Sequence, residues 1–373
     1  MLPSPPHCQL QGVYMRLSIV LSLIPILMHA EPASYLKDLE EFGYCVVPNV
    51  ISTEETEVLY ERLWHEFVEK AWPKCKLEDR SNWKETFPKQ NKMGIFAGPA
   101  GQTQVMWDVR QDPRIIELFA NVWNTHDLIV SMDGMSLMCP PEIREGEYEP
   151  WPHVDQAVLR RADGTAHSNN PPMGFVSESL LKTAPYTIQG QFLFEDSLEG
   201  DGGFYCIPKS HLRFEEFAPK LETIHATYTG LEKRDRRTAL FNEFFDEGTD
   251  ADGKPYKKQH VTAKRGSFIL WDSRTIHWNQ HAEKTRPSSD KPKVRMVGFM
   301  CYVPKSRLTE EGKKLRAEAF ALGIATGHNP TPPELKPTKD HIWKGYEEYL
   351  EDSSYVHPTI HLTPLGKSIL GVE

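Results

Sequence analysis

Cysteine is scarce in this chain and is nowhere closely paired. The 373 residues contain six cysteines, with no CxxC pair among them. Disulfide frameworks and structural zinc sites depend on closely spaced cysteines, so neither is expected. The six are interpreted as ordinary reduced and mostly buried thiols; they are Cys8, Cys45, Cys75, Cys139, Cys206 and Cys301.

Basic residues are also outnumbered by acidic ones. The chain has 43 lysines and arginines against 52 aspartates and glutamates, which gives a formal net charge of −9. A nucleic-acid partner requires a surplus of positive charge to neutralise its phosphates. Nucleic acid is therefore not expected as a partner, and the oligomeric state stays open.

No transmembrane span is expected. The apolar run from Leu17 to Leu27 is about half as long as the roughly 20 residues that a spanning helix needs. Arg16 precedes the run, which resembles a short secretory signal if translation starts at Met15 and a leader within residues 1–30 is cleaved. No Asn-x-Ser/Thr glycosylation site with an allowed middle residue occurs, which tips the expectation towards a cytoplasmic protein.

Internal repeats are absent too, and the 39% apolar content is enough for one large core. We expect a single catalytic domain over residues 31–330. It would carry a charged surface insertion at residues 212–262 that could form a lid. A proline-rich C-terminal extension, residues 331–373, would pack on the domain or trail from it.

Helices are predicted on both sides of the central region. Ser52 and Glu55 have the spacing of a capping box, and a second helix is predicted to start after Asp112 at Pro113. A third helix follows Ser306. Each would lay an apolar stripe on the core. The stripes consist of Leu59, Leu63 and Phe67; of Ile115, Ile116, Phe119, Ala120 and Trp123; and of Leu315, Ala319 and Leu322.

Between Leu128 and Val303 the sequence consists of short apolar runs separated by glycine, proline, asparagine and aspartate. Repeated short strands at this spacing are typical of a β-sandwich or barrel. A mainly β fold is therefore predicted, with the helices as buttresses. The runs include LIVSMDGMSLM, TIQGQFLFED, GGFYCIP, GSFILWDS and VRMVGFMCYV.

The segment WPHVDQ places His153 and Asp155 two residues apart. On an extended strand this spacing directs both side chains to the same side, where they could bind one metal ion. The pair alone is weak evidence, because the chain has 15 histidines and H-x-E pairs also occur at His29 and His281. A third ligand is needed to make the site specific.

A second histidine, His277, ends the run GSFILWDSRTIH, 124 residues after His153. Two imidazoles and one carboxylate can occupy one face of Fe(II) and leave positions open for O2 and a chelating cosubstrate. His153, Asp155 and His277 are therefore the predicted iron ligands and catalytic residues. This donor set favours oxygen activation over a closed structural metal site.

Arg295 lies in the predicted strand VRMVGFMCYV, where alternation puts it on one face with Val297, Phe299 and Cys301. A guanidinium on an apolar face needs an anionic partner, because an unpaired buried charge is costly. The distal carboxylate of 2-oxoglutarate would accept two parallel hydrogen bonds from it. An internal salt bridge to an aspartate or glutamate is the other interpretation.

Together, WPHVDQ, EGDGGFYCIPKSH, GSFILWDSRTIH and the arginine strand resemble the phytanoyl-CoA dioxygenase family. The opening EEFGYCVVPNVISTEE is similar to that family's N-terminal signature, so the resemblance covers roughly residues 35–330. It implies a double-stranded β-helix, or jelly roll, with iron at its open end. It also implies Fe(II) as cofactor, 2-oxoglutarate and O2 as cosubstrates, and a small-molecule substrate.

The resemblance carries over to single residues. The family's ligand positions match His153, Asp155 and His277, and its cosubstrate-binding arginine matches Arg295. That arginine usually follows the distal histidine more closely than the 18 residues found here, so Arg286, at nine, is an alternative. Arg286 lies in a polar loop, which favours Arg295.

Four further pocket positions follow from the same matching. Gln191 and Gln189 would line the cosubstrate pocket from one strand. Asn279 follows the distal histidine by two residues, and Met135 would floor the pocket. The glutamines could equally be hydrogen-bonded core amides, and Met135 a core filler. The glycine-rich motif at residues 200–203 is interpreted as structural, since glycines permit a tight turn between strands. His211 is likewise interpreted as structural and not as a metal ligand.

Asp155 decides between reaction types, because related halogenases carry a small residue at this position. With the carboxylate present, the resemblance implies hydroxylation, with succinate and CO2 as co-products. Two alternatives stay open: a jelly-roll binding protein that retains a metal without turnover, and a metal oxygenase independent of 2-oxoglutarate. Trp107, Trp151 and Trp278 indicate an organic, partly apolar substrate, although tryptophans are also common in cores.

Overall fold

Two antiparallel β-sheets form the centre of the molecule. The computed structural model describes residues 32–88, 94–96, 98–145, 150–155, 187–217, 229–230, 248–250, 252–323, 325, 327–331 and 359–373. Within these ranges the strands are Tyr44–Val47 (β1), Ile95–Phe96 (β2), Leu128–Val130 (β3), Met135–Met138 (β4), His153–Val154 (β5), Ile188–Leu193 (β6), Gly203–Cys206 (β7), Thr229–Gly230 (β8), Gln259–Val261 (β9), Phe268–Asp272 (β10), His277–Gln280 (β11) and Arg295–Pro304 (β12).

The connections between these strands define the fold class. The larger sheet has seven strands in the order β1-β10-β6-β12-β4-β2, with β3 paired to β12. The smaller sheet has five, in the order β8-β5-β11-β7-β9. From β4 onwards the chain passes repeatedly from one sheet to the other, so strands that are distant in sequence become neighbours. This alternation is that of a double-stranded β-helix, or jelly roll, and the predicted fold class is confirmed.

The two sheets face each other across an apolar layer. Alternate side chains of β6, β10 and β12 point into this layer and meet side chains of β7 and β9. The layer consists of Leu193, Phe204, Cys206, Val261, Ala263, Ile269, Trp271 and Val297. Polar side chains on these inner faces are surrounded by apolar groups, which makes them candidates for a functional site.

Helices cover the outer face of the larger sheet. The outward-facing Phe192, Phe268 and Met300 belong to the same core cluster as the helix residues Phe119 and Ile369. Helices from both ends of the chain therefore buttress the sheet, as predicted. They are Pro32–Phe42, Thr53–Leu63, Glu69–Ala71, Trp83–Thr86, Gln104–Arg110, Pro113–Trp123, Phe214–Phe217, Glu310–Leu322 and Pro364–Leu370, with a π-helix at Trp64–Val68 and 3-10 turns at Arg80–Asn82, Gly98–Gln102, Ser210–Arg213 and Lys305–Arg307.

The helix Thr53–Leu63 begins where its capping signals predict. Ser52 Oγ accepts the backbone N–H of Glu55 at 3.2 Å, and the Glu55 carboxylate accepts the N–H of Ser52, also at 3.2 Å. These two bonds satisfy backbone donors that the start of a helix otherwise leaves free. The second predicted helix likewise begins at Pro113, with Asp112 as its cap.

The substitution Ser52→Ala is expected to lower the free energy of unfolding by about 1 kcal/mol, because it leaves the N–H of Glu55 without its acceptor. The matched variant Ser52→Thr keeps the oxygen and should retain most of the stability. Urea unfolding of the three proteins measures the difference. Equal stability of the alanine variant and the parent would show that the capping box contributes nothing.

The buried face of the helix Glu310–Leu322 differs from the predicted stripe. Ala319 is buried as predicted, but Leu315 is only partly buried and Leu322 is 55% exposed. Arg316 is fully buried instead. The prediction was wrong at Leu322. The spacing of apolar residues does not show that backbone carbonyls from distant segments are available as hydrogen-bond acceptors for a buried arginine. The Arg316 guanidinium donates to the backbone carbonyls of Val130, Pro330, Ile369 and Leu370.

Parts of the predicted insertion at residues 212–262 belong to the smaller sheet. Strand β8 pairs with β5, and β9 pairs with β7. The segment is therefore not simply a surface insertion, because its described parts complete the jelly roll. Residues 218–228 and 231–247 lie outside the described residues, and so does any lid formed by them.

The end of the C-terminal extension packs on the domain. The helix Pro364–Leu370 places Ile369 and Leu370 in the main core. Residues 332–358 and the leader predicted within residues 1–30 lie outside the described residues. The five described cysteines are free and buried, as predicted. None of the described helices combines the length and the apolar character needed to cross a bilayer.

Candidate metal centre

Two histidines from neighbouring strands of the smaller sheet lie directly opposite each other. His153 in β5 is paired with His277 in β11, and their ring centroids are 4.3 Å apart. Opposed residues of an antiparallel pair point to the same face. That face is turned towards the larger sheet, because the His277 ring packs against Phe204 and Trp271 of the inter-sheet layer. Strand pairing thus joins two residues that are 124 positions apart.

Asp155 completes the cluster just beyond the end of β5. Its backbone N–H donates to the Ser273 carbonyl at 2.8 Å, which holds it beside the turn between β10 and β11. One carboxylate oxygen lies 3.0 Å from Nε2 of His277, and the other lies 3.4 Å from Nε2 of His153. One donor atom from each residue lies within 4.8 Å of the other two. The structure therefore brings all three predicted ligands together, with side chains 4 to 8% exposed.

Hydrogen bonds to backbone carbonyls set the tautomers of both histidines. Nδ1 of His153 donates to the carbonyl of Trp151, and Nδ1 of His277 donates to the carbonyl of Thr275, each at 2.9 Å. A carbonyl only accepts, so each Nδ1 carries a proton, and Nε2 of each ring faces Asp155 and is the nitrogen left to bind a metal. Trp151 also stacks on the His153 ring at a centroid distance of 3.7 Å. Such outer partners orient imidazole ligands.

The surroundings favour the protonation states that metal binding needs. Burial lowers the pKa of His153, and His277 lowers it further. Burial alone would raise the pKa of Asp155, but His328, His277 and His153 hold that pKa well below its usual value. At neutral pH a neutral imidazole therefore lies beside an ionised carboxylate. Two nitrogens and a carboxylate can hold Fe(II) or a related divalent metal.

Arg295 lies on the inner face of β12, in the same interior. Its Nη2 donates to Oδ1 of Asn279 at 2.8 Å and to Oε1 of Gln191 at 3.2 Å. Its Nε and Nη1 are buried without a hydrogen-bond partner, and no carboxylate among the described residues pairs with it. Burial lowers the pKa of Arg295 to about 9, which leaves it charged at neutral pH. A buried cation with free donors is suited to binding an anion.

Arg286, the alternative arginine, is engaged elsewhere. Its Nε donates to the Asp201 carboxylate at 2.8 Å, and its Nη1 pairs with the Glu142 carboxylate. Nη1 also donates to the backbone carbonyl of Glu283 at 2.6 Å. An arginine bound by two carboxylates needs no further anion to balance its charge. The structure therefore favours Arg295 as the anion-binding residue.

The two predicted glutamines point into the same interior from β6. Gln189 and Gln191 alternate with outward-facing residues, and the next inward residue, Leu193, belongs to the inter-sheet layer. Gln191 contacts Arg295, whereas Gln189 lies one pleat closer to the strand end that adjoins Asp155. The amide nitrogen of Gln189 is buried without a hydrogen-bond partner. A buried donor in this state costs free energy until a ligand supplies an acceptor.

Met135 lies away from this interior. It is paired with Gly298 of β12, and a side chain added at Gly298 would meet Met106 on the helix side of the sheet. Met135 therefore faces the helices and belongs to the outer core, which does not support its predicted place in the pocket. Met138, paired with Arg295, faces inward from the same strand. A shift of one residue along a strand moves a side chain to the other face.

Other residues noted in the sequence have structural roles. His211 donates through Nε2 to the backbone carbonyl of Glu40 at 3.0 Å, and it is not part of the buried donor cluster. Trp107 is fully buried in the helix-side core, and Trp278 stacks on an aromatic ring of β7. Of these three tryptophans, Trp151 is the one that contacts a candidate ligand.

Sequence reasoning missed His328. It lies in the segment of residues 327–331, beyond the helix Glu310–Leu322, and its Nδ1 is 3.9 Å from Oδ1 of Asp155. The segment GHNPT has no strand pattern, and His328 follows His277 by 51 residues, with no ligand spacing to mark it. The sequence feature that could have pointed to His328 was a histidine among turn-forming residues, and many loops contain such a sequence.

A second group of possible ligands lies at the surface. It consists of His65, Glu69 and Glu78. Glu69 already accepts hydrogen bonds from Lys76 Nζ and from the N–H of Leu77. Exposed acidic groups of this kind are common without a metal. The buried cluster is therefore the candidate metal centre.

Comparisons with known proteins agree with the sequence motifs. The family model of phytanoyl-CoA dioxygenase (PhyH) matches residues 39–280, about two thirds of the chain. This range contains His153, Asp155 and His277, and it ends before Arg295 and His328. Ava biosynthesis cluster protein O from Aspergillus versicolor is 23% identical over 292 residues, which cover 77% of this chain and 83% of the relative.

Two solved structures show a more distant likeness. EctD from S. alaskensis, in its apo form, has 15% sequence identity and a TM-score of 0.44, over 83% of this chain and 86% of that chain. HygX from Streptomyces hygroscopicus, crystallised with nickel, 2-oxoglutarate and hygromycin B, has 14% identity and a TM-score of 0.41, over 72% and 86%. Likenesses this distant say nothing about individual residues of the site.

Proposed function

This chain belongs to the phytanoyl-CoA dioxygenase family of Fe(II)- and 2-oxoglutarate-dependent oxygenases, and we propose that it hydroxylates a small organic molecule. The observation that carries the proposal is a buried cluster of two histidines and one carboxylate that shares an interior with an unbalanced arginine. Either feature alone has several interpretations. Together they fit a metal ion and an anionic cosubstrate.

The donor atoms of the cluster fit Fe(II). Nε2 of His153, Nε2 of His277 and the Asp155 carboxylate would hold the ion, while the Nδ1–H bonds to carbonyls keep both imidazoles in place. Three protein ligands leave positions for further ligands, unlike a structural site with four. Fe(II) bound there would supply activation of O2, coupled to conversion of 2-oxoglutarate into succinate and CO2.

2-Oxoglutarate fits the donors that lack partners. Its distal carboxylate would accept a hydrogen bond from one of the two donors of Arg295 that lack a partner, Nε or Nη1, while Gln191 and Asn279 hold the guanidinium through Nη2. The free amide nitrogen of Gln189 would donate to another oxygen of the same molecule. Binding would satisfy buried donors whose unpaired state is costly in the free protein.

The charges of this arrangement also balance. Fe(II) and Arg295 bring positive charge into the interior, and the Asp155 carboxylate and the dianion 2-oxoglutarate would neutralise it. Arg295 is 5% exposed, so its electrostatic interactions are less weakened by water than those of surface groups. The chain's own contribution is therefore to orient the cosubstrate and to exclude water from it.

Two observations support hydroxylation of a small organic molecule. Asp155 is present, so no protein ligand position is given up to a halide. The relative from Aspergillus versicolor is named for a biosynthesis cluster, which is in line with a small organic substrate. Specificity for the substrate in such folds depends on loops.

Purified protein supplied with Fe(II), ascorbate and 2-oxoglutarate is expected to release succinate slowly without added substrate, and to stop when EDTA removes the metal. Succinate is measured by chromatography. A protein that binds metal but releases no succinate, even in the presence of a metabolite mixture, would be a binding protein without turnover. An oxidised product formed without succinate would identify an oxygenase independent of 2-oxoglutarate.

The substrate can be sought by the same readout. A metabolite library is screened for compounds that stimulate succinate release, and each positive compound is checked by mass spectrometry for the gain of one oxygen atom. Stimulated succinate release with a hydroxylated product would support the proposal. Stimulation accompanied by a halogenated, cyclised or epimerised product would replace hydroxylation with that reaction.

A further inference from the structure

We propose that His328 is a positioning residue for Asp155, and that the segment of residues 327–331 is therefore part of the metal centre. This inference rests on the proposed function, because it concerns the ligand set proposed for Fe(II). The segment lies beyond the strands that carry the ligands and beyond the range matched by the family model. It would make metal affinity depend on the C-terminal part of the chain.

His328 adjoins Asp155 without joining the donor cluster. Its Nδ1 lies 3.9 Å from Oδ1 of Asp155, and its side chain is 19% exposed. The cluster whose donor atoms all lie within 4.8 Å of one another contains His153, Asp155 and His277, without His328. The imidazole therefore borders the carboxylate and is not placed as a fourth ligand.

The tautomers of the two ligand histidines explain why Asp155 needs this neighbour. His153 and His277 donate their Nδ1 protons to backbone carbonyls, so each would bind a metal through the lone pair of Nε2. Neither can then donate a hydrogen bond to Asp155 while it binds a metal. Among the side chains of the described residues, His328 is the remaining ion-pair neighbour of this carboxylate. A shift of about 1 Å would bring its Nδ1 into hydrogen-bond range.

The electrostatic surroundings agree with this placement. The pKa of Asp155 is held well below its usual value although burial opposes this, and of the groups that lower it His328 has the largest effect. Burial raises the pKa of Asp133, in the loop between β3 and β4, and of the groups that oppose this His328 again has the largest effect. The imidazole is therefore within electrostatic reach of both carboxylates.

The segment that carries His328 is anchored to the fold. The carbonyl of the buried Pro330 accepts a hydrogen bond from Nη1 of Arg316 at 3.2 Å, and Nη2 of Arg316 donates to the Val130 carbonyl of β3 at 2.6 Å. Asn329 Oδ1 accepts the N–H of Thr331 at 3.0 Å, which closes a local turn. The position of His328 is thus set by the core and not by loose loop contacts.

The test measures metal binding by the full-length apo protein, with Co(II) as the probe and the visible absorption of bound Co(II) as a second readout. His328→Ala is expected to weaken Co(II) binding by about tenfold or more and to change that spectrum, since loss of an outer partner costs roughly 10–100-fold in affinity. His328→Gln, which keeps a donor, should recover part of the loss. The matched control is His126→Ala, a histidine 75% exposed.

The outcomes separate this inference from the proposed function. Weaker binding and an altered spectrum in His328→Ala, with an unchanged melting temperature of the apo protein, would support it. Parental affinity and spectrum in that variant would overturn it, while the succinate assay of the parent would still stand. Equal losses in the glutamine and alanine variants, with lowered melting temperatures, would assign His328 to general packing and overturn it as well. Failure of the parent protein itself to bind Co(II) would contradict both the role of His328 and the proposed function.

Discussion

Replacing Asp155 by alanine is expected to abolish turnover of 2-oxoglutarate. We also expect it to weaken Fe(II) binding by more than about 100-fold, beyond the roughly 10–100-fold that loss of an outer partner costs. The carboxylate supplies the negative charge of the donor cluster, and its two oxygens lie 3.0 and 3.4 Å from the two ligand imidazoles. Without it, two neutral nitrogens would have to hold a divalent cation in a buried site.

Anaerobic titration with Fe(II) and the succinate assay measure this loss. Asp155→Asn, which nearly keeps the shape of the side chain, should lose turnover as well, and its melting temperature reports whether the fold is intact. His153→Ala and His277→Ala are each expected to have the same effect, with the exposed His126→Ala as control. Full activity in any one of the ligand variants would remove that residue from the set.

The second large effect is expected for Arg295→Met, which removes the guanidinium but keeps much of its length. Truncating one partner of a buried charge pair costs about 2–5 kcal/mol, so 2-oxoglutarate affinity should fall by a factor on the order of 100 or more. Fe(II) binding should persist, because Arg295 is not one of the ligands. The free protein should not lose stability, since the variant removes a buried charge with two unpaired nitrogens.

Arg286→Met is the matched control for that prediction. Arg286 is held by the carboxylates of Asp201 and Glu142, so its loss leaves two acids without their cation. We expect a loss of about 3 kcal/mol in the free energy of unfolding, with 2-oxoglutarate affinity unchanged. Parental 2-oxoglutarate affinity in Arg295→Met would contradict the assignment of Arg295. A large loss of 2-oxoglutarate affinity in Arg286→Met, measured at a temperature where that variant is folded, would assign the cosubstrate to Arg286 instead.

Much of this site could be predicted from the sequence because its parts follow local rules. Strand alternation placed Arg295 on one face with apolar residues, since successive side chains of a strand point to opposite sides, and the family resemblance placed Gln189 and Gln191 in the pocket. The capping residue Ser52 located a helix start, because its bonds reach only three residues along the chain. The jelly roll followed from the order of several motifs, none of which was sufficient alone.

Other features of the site depend on contacts between segments that are distant in the sequence. Met135 and Met138 both lie in one buried strand, and only the pairing with β12 shows which of them faces the interior. The buried face of the helix Glu310–Leu322 contains Arg316 and not Leu322, and the carbonyls that accept from the Arg316 guanidinium come from other segments. His328 lies beside Asp155, although no spacing in the sequence predicts that the two are neighbours. Local patterns in the chain establish which residues share a face, whereas which faces and loops meet is set by long-range packing that those patterns do not encode.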